Sequence, residues 1–189
     1  MAMTDKIEVL IHSSIRISYD RIIYVDPFKI KEETHDADLI LITHDHYDHF
    51  SPEDIAKVSK DDTRLAVPEK MEEQAEEIGF SGSRLITVRP GMIREIQGIL
   101  VEGVEAYNNL KPFHPKKKGW VGYILTIDGE RIYIAGDTDI TKENRQVKCD
   151  IALVPVGGTY TMDAKKAAEL VNEIRPRVAI PTHYGSIVG

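Results

Sequence analysis

Residues 43–49 read Thr-His-Asp-His-Tyr-Asp-His and place His44, His46, Asp48 and His49 within six positions. Imidazole and carboxylate are the donors that zinc and related divalent metals prefer. Four such groups crowded together gain nothing unless they converge on an ion. The chemistry that follows is metal-assisted hydrolysis. Two cations ~3.5–4 Å apart bind a bridging water, lower its pKa toward neutrality and polarise the substrate oxygen, so that hydroxide attacks a carbonyl or phosphorus centre.

The flanks say which elements hold these groups. Leu39-Ile40-Leu41-Ile42 is a short apolar run, read as a buried strand. Ser51-Pro52-Glu53-Asp54 reads as a helix start, with Ser51 as N-cap, Pro52 at the first helical position and Asp54 as the capping-box acid. The motif therefore lies on the loop where a strand ends and a helix begins. His44 and His46 are two apart and point the same way in extended backbone. Asp48 and His49 follow after the chain turns and face a second point. One loop can thus serve two adjacent metals.

The H-x-H-x-D-H spacing resembles the signature of the metallo-β-lactamase superfamily, and the resemblance runs in order from roughly Val9 to Val188. It implies an α/β fold, the αβ/βα four-layer sandwich, with two mixed β-sheets packed face to face and helices outside. Periodicity alone shows a mixed α/β chain. Strands are expected at 7–11, 15–19, 22–25, 39–42, 64–67, three between 84 and 106, 121–127, 131–135, 151–155 and 178–180. Helices are expected at 52–59, 69–78 and 163–174, and Asp128-Gly129 is a hairpin signal.

The resemblance also carries over further residues. The strand Arg131–Ala135 runs into Gly136-Asp137-Thr138, which places Asp137 as the aspartate that bridges two metals. Val178–Thr182 ends in His183, matching the family's last histidine, a ligand of the second metal. The family also has a histidine just after the strand that here is Leu100–Ala106, but Tyr107 and Asn108 stand there instead. The nearest histidine is His114, either a ligand brought back by its loop or a substrate-facing or structural residue. His12, in Ile11-His12-Ser13, resembles a segment of the lactonase-like branch that lies near the metals; its alternative is a structural role. Asp26-Pro27 looks like the family's Asp-Pro turn, with Asp26 accepting a hydrogen bond from a ligand imidazole. Gly157-Gly158 with Tyr160 either lines the cleft or forms an ordinary turn. Asp48 would ligate the second metal and orient the hydroxide, with His12 and Tyr160 as the other candidate catalytic groups.

Bulk composition narrows the alternatives. A length of 189 residues suits one domain, here 1–189. The formal net charge of −7 disfavours nucleic acid as a partner and leaves a small-molecule substrate. Lys116-Lys117-Lys118 is either a solvated loop or an anion-attracting rim. No apolar run is long enough to span a bilayer, and the N-terminal residues lack signal-peptide character. Cys149 is the one cysteine, so neither a disulfide nor a Cys-rich zinc site is available, and a cytoplasmic location is the simplest reading.

The expectation is a hydrolase using two divalent metal ions, Zn²⁺ first and Mn²⁺ or Fe as alternatives, on an ester, lactone or phosphodiester. The resemblance is to the short ascorbate-6-phosphate lactonase-like branch. Two other classes stay open: an iron-containing redox or oxygenase member, and a non-catalytic metal-binding domain. His46 stands where the family's diiron redox members carry an acid, which favours hydrolysis. Substrate and oligomeric state are not legible in the sequence.

Overall fold

The computed structural model describes residues 2–188, which form two compact units that divide between Val88 and Arg89. The first unit is a six-stranded mixed sheet. Its strands are β1 (Ile7–Ile11), β2 (Ser14–Ser18), β3 (Ile22–Val25), β4 (Ala37–Leu41), β5 (Ser59–Pro68) and β6 (Leu85–Val88), hydrogen-bonded in sequence order. The first three pair antiparallel and the rest parallel. Parallel neighbours need a crossover. Two are helical, α1 (Pro52–Val58) between β4 and β5 and α2 (Glu72–Glu77) between β5 and β6.

Leu39, Ile40 and Leu41 are wholly buried, as a central parallel strand requires. On the helix-covered face, Ile40, Leu65 and Val67 pack with Ile55 and Val58 of α1 and Ala75 of α2. Ser51 caps α1, its Oγ accepting from the Asp54 amide at 3.4 Å. The Asp54 carboxylate differs from the expected capping box. It accepts from the amides of Lys29 and Ile30 at 2.8 and 2.9 Å and so ties the segment after β3 to the helix.

β5 is longer than the expected strand at 64–67. Its first half is polar, yet Thr63 Oγ1 accepts from the Lys60 amide and donates to the Ala37 carbonyl. A register shift between Ala37 and Leu39 accommodates this bridge. The expected helix at 69–78 begins as a 3₁₀ turn, Glu69–Met71, and is α-helical only over α2.

The second unit is also a six-stranded mixed sheet. Its strands are β7 (Ile93–Ile96), β8 (Ile99–Glu105), β9 (Val121–Ile127), β10 (Glu130–Ile134), β11 (Ile151–Pro155) and β12 (Val178–Thr182), in order β12-β11-β10-β9-β8-β7. β7 to β10 pair antiparallel, and β10, β11 and β12 parallel. The β9–β10 hairpin turns at Asp128-Gly129, both at positive φ (51° and 80°) as a type I′ turn needs. α3 (Ala164–Ile174) connects β11 to β12, capped by Asp163, and buries Ala167, Leu170 and Ile174 beside Ala152 and Val154 of β11.

Strand direction fixes where functional groups emerge. β1, β3 and β4 run the same way, so His12, Asp26 and His44 leave one edge of the first sheet. β8, β10, β11 and β12 likewise run together, so Asn108, Asp137, Gly157 and His183 follow strand ends at one edge of the second. No helix among the described residues is long and apolar enough to cross a membrane.

The basic run after β8 is anchored. Lys116 Nζ lies 2.9 Å from carboxylate oxygens of both Glu105 and Glu143. Lys118 Nζ stands 5.1 Å from the centre of the Trp120 ring. Partial burial pushes the Glu143 carboxyl up, but Lys116 and the Tyr107 hydroxyl outweigh it and bring it down to about 2. A carboxyl depressed in the folded state stabilises fully above its ordinary value of 4.5 and loses that contribution as pH falls through about 2. Across that window Glu143→Gln protein should therefore lose less melting temperature than wild type. Parallel acid profiles would remove this bridge from any account of acid stability.

Candidate metal centre

In the first unit the chain leaves β4 through Ile42 and Thr43, and the ligand motif follows. Amides of His49 and Phe50 both donate to the His46 carbonyl, closing the turn that presents Asp48 and His49. His44 Nε2 and His46 Nδ1 are 3.1 Å apart. Asp48 Oδ2 lies 3.2 Å from His12 Nε2 and 3.5 Å from His49 Nε2. His12, His44, Asp48 and His49 are buried and His46 is half-buried.

A polar relay sets the orientation of two of these rings. Asp26 is buried, and its Oδ2 lies 2.6 Å from His49 Nδ1. The same carboxylate accepts from the Thr43 amide and hydroxyl at 2.8 and 2.6 Å. Thr43 Oγ1, its proton given to Asp26, accepts from His44 Nδ1 at 2.9 Å. An ionised carboxylate only accepts, so His49 and His44 both hold their proton on Nδ1, leaving Nε2 as the nitrogen that could bind a metal. Burial pushes the Asp26 carboxyl up, while His49 and Thr43 pull against that push. The expected role of Asp26 matches this geometry. Thr43 is a residue that sequence reasoning passed over; its only signal was a hydroxyl between a buried strand and a histidine motif.

In the second unit Asp137 follows β10 through Ala135 and Gly136. Its Oδ2 lies 2.9 Å from His183 Nε2 and 3.3 Å from His114 Nε2, and all three residues are buried. His114 thus meets Asp137 although it lies on a loop far from the position where the family's histidine stands. Its ring packs edge-on to Trp120 at 5.5 Å. Tyr160 is half-buried, its ring edge-on to Phe113 at 4.7 Å, beside the loop that carries His114. His35 is exposed.

The donor set fits a divalent cation. Two donors ~2.0–2.1 Å from one tetrahedral zinc stand ~3.3 Å from each other. Within the two units, neighbouring donor atoms of this group, His12 included, are separated by 2.9 to 3.5 Å. They are imidazole nitrogens and carboxylate oxygens, the mixture that zinc, manganese and iron all accept.

Three of the eight non-glycine residues at positive φ among the described residues belong to this group. His12, Asp26 and His183 have φ of 55°, 46° and 58°. L-residues adopt this left-handed region at a cost, and such strain clusters at functional positions. His12, structural or functional on sequence grounds, is here strained, buried and in contact with Asp48.

Gly157 marks a close approach after β11. A Cβ placed there would stand 2.4 Å from the His183 carbonyl oxygen and 3.0 Å from its Nδ1. Gly157→Ala should therefore shift His183 and weaken metal binding by ~10–100-fold, the scale of losing support behind a ligand. Unchanged zinc affinity in that variant would show that His183 is positioned by something else. Cys149 is not a competing nucleophile, since burial pushes its thiol up to about 11.

Comparison with known proteins places the chain in a family. A family model described as a β-lactamase superfamily domain matches residues 6–183. A metal-dependent hydrolase of Thermoplasma acidophilum is 36% identical over 191 residues, covering 93% of this chain and 81% of that protein. The structure of a metal-dependent hydrolase from Parabacteroides distasonis matches with a TM-score of 0.82 at 35% identity, over 95% of this chain and 82% of that one. Igni18, a metallo hydrolase from Ignicoccus hospitalis, matches with a TM-score of 0.78 at 25% identity, over 95% and 82% of the respective chains. The two mixed six-stranded sheets with helices match the metallo-β-lactamase fold of these neighbours.

Proposed function

This chain belongs to the metallo-β-lactamase superfamily, and from that premise we propose that it is a hydrolase working with two divalent cations, zinc in the first instance. The carrying observation is the spacing of imidazole and carboxylate donors, all buried except the half-buried His46, 2.9 to 3.5 Å between neighbours in each unit. On the family resemblance, His44, His46 and His114 would hold the first ion, Asp48, His49 and His183 the second, with Asp137 shared by both. When bound, the metals activate water and polarise the substrate oxygen, the chemistry of two-metal hydrolases.

The chain's own groups do the rest. Asp26 and Thr43 keep two imidazoles in the tautomer that offers Nε2. Asp48 accepts hydrogen bonds at the reaction centre and orients the attacking water. His12, 3.2 Å from Asp48, supports that carboxylate as a hydrogen-bond partner. Tyr160 contacts the substrate from the loop after β11. The substrate is a small ester, lactone or phosphodiester, and the resemblance to the ascorbate-6-phosphate lactonase-like branch makes a lactone the first probe.

The test pairs elemental analysis with a substrate panel. Two equivalents of zinc per chain are expected. Lactone or phosphodiester turnover should be abolished by chelation and restored by Zn²⁺ or Mn²⁺. Bound iron with oxygen consumption and no hydrolysis would replace this reading with redox chemistry. Metal binding without any turnover would leave a metal-binding domain.

A further inference from the structure

We propose that Asn108 is a positioning residue that fixes His114 as a metal ligand through its Nε2 atom; this rests on the reading of His114 as a ligand given above. The family's histidine at the end of the corresponding strand is absent here, and His114 is six residues further along the chain than Asn108. A ligand on a loop needs something to hold it. Asn108 makes three hydrogen bonds with His114. Its amide donates to the His114 carbonyl at 2.7 Å. Its Oδ1 accepts from the His114 amide at 3.1 Å and from His114 Nδ1 at 2.9 Å.

The orientation of the Asn108 side chain is determined by its other end. Nδ2 donates to the Tyr160 carbonyl at 3.0 Å, a position where only a donor fits. Oδ1 must therefore face His114. A carboxamide oxygen only accepts, so His114 Nδ1 carries the proton and Nε2 presents its lone pair, 3.3 Å from Asp137 Oδ2. Both Asn108 and His114 are buried, so water does not compete for these bonds. The loop between them is stapled to the segment after Asp137. The Asn109 amide donates to Asp139 Oδ2 at 3.0 Å, and Lys111 Nζ reaches Asp139 Oδ1 at 3.0 Å. Asn108 thus does for His114 what Asp26 does for His49, with a neutral acceptor in place of a carboxylate.

The test uses zinc alone as probe, on the full chain, with two readouts. The first is the His114 tautomer in metal-free protein, read by nitrogen NMR. Wild type should carry the proton on Nδ1, and a proton on Nε2 would overturn the proposal without any variant. The second is zinc affinity by competition with a chelator. Asn108→Ala should weaken one of the two zinc ions by ~10–100-fold, the usual cost of losing an outer hydrogen-bond partner. Asn108→Asp keeps an acceptor toward His114 but sets an oxygen against the Tyr160 carbonyl, so it should bind zinc more weakly than wild type and more tightly than Asn108→Ala. Equal zinc affinity in Asn108→Ala and wild type, or equal losses in the two variants, would overturn the inference. His114→Ala separates the two levels. If it keeps both zinc ions, the ligand reading of His114 falls. If it loses one while Asn108→Ala keeps both, only the role of Asn108 falls.

Discussion

Asp137→Ala should bind fewer than two metal equivalents and lose hydrolytic activity by a larger factor than any other single change in the centre. The carboxylate follows β10 directly, is buried, and has one oxygen 2.9 Å from His183 and 3.3 Å from His114. As the ligand proposed to bridge both ions, its removal takes a donor from each. It also leaves two positive charges close together with less negative charge between them. Loss of an outer partner costs ~10–100-fold in affinity, and loss of a shared ligand should exceed that. Asp137→Asn keeps the volume and one acceptor but not the charge, and should fall between alanine and wild type. Metal-free wild type and metal-free variant should melt alike, which separates loss of metal from loss of fold. Two full equivalents of zinc bound to Asp137→Ala would remove Asp137 from the centre.

Asp26→Ala should damage both stability and metal binding, although Asp26 is not itself proposed as a ligand. The carboxylate accepts from His49 Nδ1, the Thr43 amide and the Thr43 hydroxyl, in a buried site. Alanine leaves those donors without their acceptor, at ~1–3 kcal/mol for a buried group that loses its partner. It also frees the His49 and His44 rings from the relay that selects their tautomers, so zinc affinity should fall ~10–100-fold. Asp26 sits at φ 46°, where alanine adds strain of ~1–2 kcal/mol and glycine adds none. Asp26→Gly should therefore be less unstable than Asp26→Ala but equally poor at holding zinc. Zinc titrations and thermal melts of the three proteins measure the two effects apart. Wild-type zinc affinity in Asp26→Gly would refute the relay.

Much of the centre was legible in residue order. H-x-H-x-D-H spacing marks a ligand loop because ligands so close in sequence need little tertiary structure to meet. The apolar run before it and Ser51-Pro52 after it define a strand and a helix start by local rules, and β4 and α1 lie there. Asp128-Gly129 specifies its hairpin for the same local reason. Gly136-Asp137 and His183 were readable only through their order relative to that motif, since a lone Asp or His after a strand carries little information.

What tertiary structure decided depends on contacts distant in sequence. The polar first half of β5 joins the sheet because Thr63 bridges to Ala37, a pairing that strand propensity cannot see. Asp54 reaches beyond its own helix end to Lys29 and Ile30, more than twenty residues away. The left-handed backbone at His12, Asp26 and His183 has no glycine to announce it and is held by the surrounding fold. His114 stayed ambiguous because a histidine on a polar loop is defined by where the loop returns. Asn108, Asn109 and Lys111 decide that return through Tyr160 and Asp139. Sequence determined which side chains could bind a metal, since donor chemistry belongs to the residue itself. Tertiary structure decided which nitrogen His44, His49 and His114 offer, since the choice of tautomer belongs to the hydrogen-bond partner that folding supplies.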